Sequence, residues 1–267
     1  MTKLIHEELT YPIRGVLFDV HNRLGPMLPE EFYQAAVAVG LESKGIRCET
    51  EKGFEVTYRR QRVGLYYVDV WIEGGKIILE LKVAPKILPL HQAQAISYLK
   101  VTEADLAIVG NFGTESVETE RLPNFVRDKA VPFEWETRPV TTGIPYPDLT
   151  NRLLEVCHRV HFELGPGFLH QIYRRATMVE LQHQDLPYRY IKQLPITYQG
   201  HHLGMQAVRL IAVTDKILLA TVAVRQIDDV MKAQLKARLK QVGLQLGLLA
   251  NFNDTALDVV TVQTANS

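Results

Sequence analysis

The chain has 267 residues, 30 Lys+Arg against 30 Asp+Glu, 46% hydrophobic and 22% charged content, and a mean hydropathy of −0.05. Those values describe an ordinary globular protein, exclude the strongly basic surface of a DNA-coating protein, and leave no apolar run of the ~18 residues that a membrane span needs. Two cysteines, Cys48 and Cys157, exclude a disulfide framework or a Cys-rich zinc site, and with no apolar leader at the start they point to a reducing, cytoplasmic setting.

The first predicted element is a helix over about 12–23, with Ile13, Val16, Leu17 and Val20 on one face. Leu24-Gly25-Pro26 ends it, because Gly suits the C-terminal turn and Pro cannot continue a helix. A second helix is expected over about 29–44, with Pro29 at its first turn and Glu30 and Glu31 at its positive end. Strand signals follow at Glu55–Tyr58, Leu65–Ile72 and Lys76–Lys82. The last two are separated by Glu73-Gly74-Gly75, a hairpin signal. Ile77-Ile78-Leu79 reads as a strand covered on both faces. A third helix over about 89–101 and strands at Leu106–Val109 and about 116–121 complete the unit. The order ααβββαββ predicts an α/β fold with helices flanking a mixed central sheet. Residues 123–147 hold five prolines and read as a linker.

After that linker the whole pattern recurs at an offset of 140. His21-x-x-Leu24-Gly25-Pro26 returns as His161-x-x-Leu164-Gly165-Pro166, and Asn111-Phe112 as Asn251-Phe252. Between 16 and 112, 26 of 97 positions match the residue 140 further on without a gap. The chain therefore reads as a domain duplication: one domain at 1–125, a linker at 126–145 and a second domain at 146–267. Charge divides unevenly, with 17 basic and 20 acidic residues up to position 140 and 13 and 10 after it.

The duplication separates scaffold from chemistry. Asp69 lies on one predicted strand, and Glu80-Leu81-Lys82 lies on the next. Residues two apart on a strand share a face, so Glu80 and Lys82 project together, with Leu81 turned to the core and Asp69 beside them across the hairpin. Burying this set without partners or a metal is costly. Two converging carboxylates suit Mg²⁺ or Mn²⁺, which take hard oxygen ligands, and Glu30 at the start of helix two can complete the shell. In the second copy the equivalents are His170, Arg209, Ala220 and Val222. The set is lost together.

Asp69…Glu80-Leu81-Lys82 resembles the D…(D/E)-x-K core of PD-(D/E)XK nucleases. Val68 stands where that family often has proline. Gln94-Ala95-Ile96-Ser97-Tyr98 resembles the Q-x-x-x-Y motif of the RecB and lambda-exonuclease branch. Both copies also resemble the small bacterial GxxExxY proteins. Met27-Leu28-Pro29-Glu30-Glu31-Phe32-Tyr33 keeps Glu and Tyr without Gly, and Gly167-Phe168-Leu169-His170-Gln171-Ile172-Tyr173 keeps Gly and Tyr without Glu. The resemblance implies two tandem nuclease-like domains. It further implies a Mg²⁺- or Mn²⁺-dependent phosphodiesterase site in the first, with Asp69, Glu80 and Glu30 at the metal and Lys82, Gln94 and Tyr98 in the catalytic set.

Residues that persist in the degenerate copy are better read as scaffold. His161 persists opposite His21, which points to packing for both, and Gln234 persists opposite Gln94. His91 reads as a surface histidine and Tyr66-Tyr67 as strand residues. Lys232, Lys236 and Lys240 recur every four residues along the third helix of the second copy and could track a phosphate backbone. The expected partner is nucleic acid, DNA ahead of RNA, with no membrane. The two copies are expected to pair within the chain as a pseudo-dimer, the second holding structure or substrate. The alternative is a non-catalytic nucleic-acid- or protein-binding module on the same fold.

Overall fold

The computed structural model describes residues 5–124, 132–136 and 143–264. Of the expected linker, 126–131 and 137–142 lie outside them. The chain divides into two compact units. One comprises Met1–Thr57, Gly64–Pro132 and Gly165–Gly167, the other Tyr58–Val63, Phe133–Leu164 and Phe168–Ser267.

The first repeat runs α1 (Glu7–Leu24), α2 (Glu30–Ser43), β1 (Cys48–Tyr58), β2 (Gln61–Ile72), a short 3₁₀ turn (Glu73–Gly75), β3 (Ile77–Lys82), α3 (Pro89–Thr102), β4 (Leu106–Asn111) and β5 (Glu118–Pro123). The second repeats it as α4 (Pro147–Leu164), α5 (His170–His183), β6 (Tyr188–Tyr198), β7 (His201–Val213), β8 (Ile217–Val222), α6 (Asp229–Val242), β9 (Leu246–Asn251) and β10 (Asp258–Gln263). Each repeat makes one five-stranded sheet in sequence order. The β3–β4 and β8–β9 pairs are parallel, each bridged by a crossover helix, and the strands beside them run antiparallel. The expected ααβββαββ order and mixed sheet are therefore present twice.

Three boundaries differ most from expectation, one of them the start of β2 at Gln61 in place of Leu65. α1 begins five residues before Pro12, which sits inside it. The missing amide costs one early helical bond, but Leu9 and Thr10 pack inward on that added turn. β1 starts at Cys48 because its first half is an exposed edge rich in Glu and Lys, whose pairing leaves no apolar signature.

In the first repeat the core joins Leu17 of α1, Val37 and Leu41 of α2, Val70 and Ile72 of β2, and Leu79 and Leu81 of β3. Residues shared by both repeats act as clamps on it. Tyr33 Oη donates to the Gly25 carbonyl (2.6 Å) and accepts from the Leu28 amide (3.0 Å), fixing the α1–α2 loop. Its ring stacks on Phe112 at 4.2 Å, as Tyr173 does on Phe252 at 4.6 Å. Asn111 Oδ1 accepts from Ala84 and Gly113 amides, and its Nδ2 donates to the Ala84 carbonyl. Asn251 makes the same bonds around Val224 and Asn253. His21 Nε2 meets the Thr114 carbonyl at 2.9 Å and His161 the Asp254 carbonyl at 2.7 Å, so both histidines are structural.

Thr57-Tyr58 is an exception among the shared pairs. Tyr58 is buried, whereas Tyr198 is 65% exposed. Tyr33→Phe is expected to cost ~1–3 kcal/mol, because it removes the partner of a half-buried carbonyl and a half-buried amide at once. Chemical denaturation checks this, and a variant as stable as the wild type would rule out the clamp.

Candidate active site

Three elements of the first repeat position the chemistry. β2 and β3 pair only over Val70–Ile72 and Ile77–Leu79. Beyond that stretch the strands part, and β3 continues against β4 through Lys82. Asp69 sits at the opening, where its Oδ2 accepts the unpaired Leu81 amide at 2.7 Å. Glu80 is buried at 4% exposure, and Lys82 Nζ lies 2.7 Å from its Oε1. Leu81 points the other way into the core. The expected face-sharing of Glu80 and Lys82, with Asp69 across the hairpin, is the arrangement found.

The electrostatics follow from that crowding. Burial, then the neighbouring Glu80 carboxylate, raises Asp69 from the ordinary 3.8 to about 7, against the opposing pull of the Leu81 amide and Lys82. Burial works against the Lys82 ammonium, but Glu80 and Asp69 outweigh it and hold its pKa above the usual lysine value. Lys82 is therefore a fixed cationic donor. Tyr66 Oη donates to Glu80 Oε2 at 3.2 Å and stacks on Tyr98 with ring centroids 3.9 Å apart. Burial, then Glu80, pushes the Tyr66 phenol upward, so it remains a donor.

The remaining expected residues fall into two groups. Glu30, the first residue of α2, does not cap its own helix; its Oε1 accepts the Val83 amide just past β3 at 3.2 Å. Tyr98 backs the site through Tyr66, and Gln94 is half-buried one turn earlier on α3. His91, expected at the surface, is half-buried on α3; burial and then Lys82 lower its pKa, while Glu30 raises it. Sequence reasoning missed Tyr66 as a partner of Glu80 and passed over Gln34, whose Nε2 donates to the Asp69 carbonyl at 2.7 Å. The signal for Tyr66 was its place three residues before Asp69 with a Gln in the second copy. In the second repeat, Lys232, Lys236 and Lys240 lie on α6. Lys236 and Lys240 are exposed, and Lys232 pairs with Asp229 at 3.0 Å.

Among the described residues no group of three or more His, Cys, Asp or Glu is gathered as a metal site. What is gathered is a pair, Asp69 and Glu80, with Glu30 engaged by Val83. A pair still fits Mg²⁺, which keeps several waters and binds through one or two carboxylates. The upward shift of Asp69 comes first from burial and then from the Glu80 carboxylate beside it, and a cation between the two would relieve the second cause.

The sign of the pH dependence in the metal-free protein follows. Asp69 takes up its extra proton in the folded state, since its folded pKa of about 7 exceeds the unfolded ~3.9. That contribution to stability is complete below about pH 4 and is lost as pH rises to about 7. With chelator present, the denaturation midpoint is expected to fall between pH 5 and pH 8, with a flatter profile for Asp69→Asn. Parallel profiles for the two proteins would contradict the shift.

Among the described residues no helix is long and apolar enough to cross a membrane. None of the curated proteins compared with the chain matches it. Among solved structures SSO0001 is similar, at 19% identity and a TM-score of 0.28, with 35% of this chain and 48% of that chain covered. This chain thus spans about half the length of that one. The model of the PD-(D/E)XK nuclease superfamily matches residues 7–122 and again 147–262, which is most of the chain. With the fold present twice and the D…ExK residues converging in the first copy, the chain belongs to the PD-(D/E)XK nuclease superfamily as a tandem duplication.

Proposed function

We propose that the first repeat is a divalent-metal-dependent nuclease that hydrolyses phosphodiester bonds, with DNA its expected substrate. The observation that carries this is the convergence of Asp69, Glu80 and Lys82 where β2 and β3 part. Asp69 and Glu80 would hold Mg²⁺ or Mn²⁺, with Glu30 placed to orient a ligated water. The ion supplies a water of lowered pKa and a polarised phosphoryl oxygen. Lys82 Nζ, held cationic, donates to the phosphate as charge builds in the transition state. Tyr66, backed by Tyr98, keeps the Glu80 carboxylate in place, and Gln34 does the same for the Asp69 backbone. Within the superfamily we assign both copies to the GxxExxY group of the RecB-like branch. The motif's tyrosine pins the loop, and its glycine position has φ +111° at Gly167 and a left-handed +69° at Met27. The second repeat lacks the site and, in this reading, supplies structure or a hold on substrate, with the basic face of α6 along the phosphate backbone.

The test is cleavage of plasmid and oligonucleotide substrates with Mg²⁺ or Mn²⁺ against chelator, alongside calorimetry with Mn²⁺. Metal-dependent cleavage that Glu80→Ala abolishes is expected. Equal cleavage by both proteins would remove these residues from the mechanism. The engagement of Glu30 by Val83 favours a second reading, a nucleic-acid-binding module without hydrolysis. Salt-sensitive binding with no metal uptake and no cleavage would select it.

A further inference from the structure

The second repeat has not simply lost its site. The equivalent place, between the start of α5, β7 and β8, holds a cavity of about 260 Å³. Its polar lining is His170, Arg174, Arg209 and Thr221, and all its other lining residues are Val, Leu or Ala. Position by position, Glu30 is replaced by His170, Gln34 by Arg174, Asp69 by Arg209 and Glu80 by Ala220. Three carboxylates and one ammonium give way to two guanidiniums with no acid among the lining residues. Decay of an unused site predicts small or neutral replacements; here the sign of the charge has reversed.

Three further observations point to a ligand. Arg174 is buried at 6% exposure, yet among the described residues its Nε has no hydrogen-bond partner. Thr221, also 6% exposed and among the lining residues, has an Oγ1 with no hydrogen-bond partner among the described residues. Buried polar groups left in this state cost free energy unless something satisfies them. Arg209 adopts φ +53°, where two residues of β7, Val208 and Arg209, face the single residue Lys192 of β6. Such a bulge re-aims a side chain, and here it belongs to a cavity-lining arginine. Burial, with Arg209 contributing, lowers the Arg174 pKa, and burial followed by Arg174 and Arg209 lowers that of His170. Both shifts come first from burial and then from neighbouring cations, with Tyr190, whose ring lies 5.7 Å from the Arg174 guanidinium, opposing the shift of Arg174.

We propose that this cavity is an anion site for a phosphate group, with Arg174 at its floor and Arg209 and His170 at its rim. Guanidiniums match phosphate oxygens in paired, charge-assisted hydrogen bonds, and the exposed start of α5 adds backbone donors of the right polarity. The volume lies below the ~300–1,000 Å³ of sites for drug-sized ligands, which suits a phosphate with a few waters and not a whole organic cofactor. The proposal is independent of catalysis by the first repeat.

Calorimetry with inorganic phosphate, in chelator so that no cleavage or metal binding occurs, tests it on the full chain. Arg209 is exposed, so Arg209→Gln should leave the fold intact and weaken phosphate binding about tenfold or more. Arg174→Gln, which installs the residue of the first repeat, should do the same. If Arg174→Gln fails to fold, Arg209→Gln and His170→Ala decide. Competition by matched oligonucleotides identifies the source. A 5′-phosphorylated strand outcompeting its unphosphorylated twin means a terminal phosphate, equal competition means the diester backbone, and competition by neither means a free phosphate compound. No phosphate binding by the wild type at millimolar concentration, or unchanged binding in Arg209→Gln, would overturn the proposal.

Discussion

Lys82→Met is expected to lower metal-dependent cleavage by about 10²–10³-fold, the usual loss when one preorganised donor to transition-state charge is removed. The basis is the position of Nζ, 2.7 Å from Glu80 and held cationic by it. A lysine acting as a proton acceptor would need the opposite shift. Rate against pH therefore discriminates: the wild type should show no ionisation near neutrality that Lys82→Met removes. Substrate binding in chelator should change little. A variant with full cleavage would take Lys82 out of the mechanism, while one that fails equally at binding would make it an anchoring residue.

The same pair predicts a large and non-additive effect on stability. Glu80 is buried and Lys82 nearly so. Removing either partner leaves a buried group of one charge, which typically costs ~3–5 kcal/mol. Replacing both removes the uncompensated charge along with the attraction. Lys82→Met should therefore be destabilised by that order, and the double variant Glu80→Gln/Lys82→Met should regain a substantial part of it. A double-mutant cycle by denaturation with chelator present measures the coupling. Additive single effects would mean that the two heads do not act as a pair.

The architecture was legible because the duplication let each signal be read twice. Gly-Pro after α1, the apolar run of β3 and the Gly-Gly turn are all local, and each marked the element it should. Legibility failed where tertiary packing overrides local preference. The turn of α1 before Pro12 exists because Leu9 and Thr10 reach the core, and the charged first half of β1 is strand because it pairs along an edge. Within the site, Asp69, Glu80 and Lys82 could be read from strand periodicity and hairpin register. Tyr66 could not, because its link to Glu80 depends on how far β2 and β3 part. Arg174 was silent for another reason: it occupies the place of Gln34, which belongs to no motif, so the charge reversal shows only once Arg174 is seen lining the cavity of the second copy.

The bulge at Val208–Arg209 makes that divergence difficult to undo. None of the clamps, Tyr173, Asn251 or His161, includes a site residue, but the four substitutions that would copy the ionisable set of the first repeat onto the second include Ala220, a core residue, and Val222, which packs on that core. They would not copy its geometry. Asp69 lies outside the left-handed region, whereas the backbone at Arg209 has entered it. An aspartate placed there would leave the strand in a different direction and miss the carboxylate opposite. Point substitutions that restored the side chains would therefore leave the left-handed backbone at Arg209 in place, and the second repeat would carry the residues of the first without their aim.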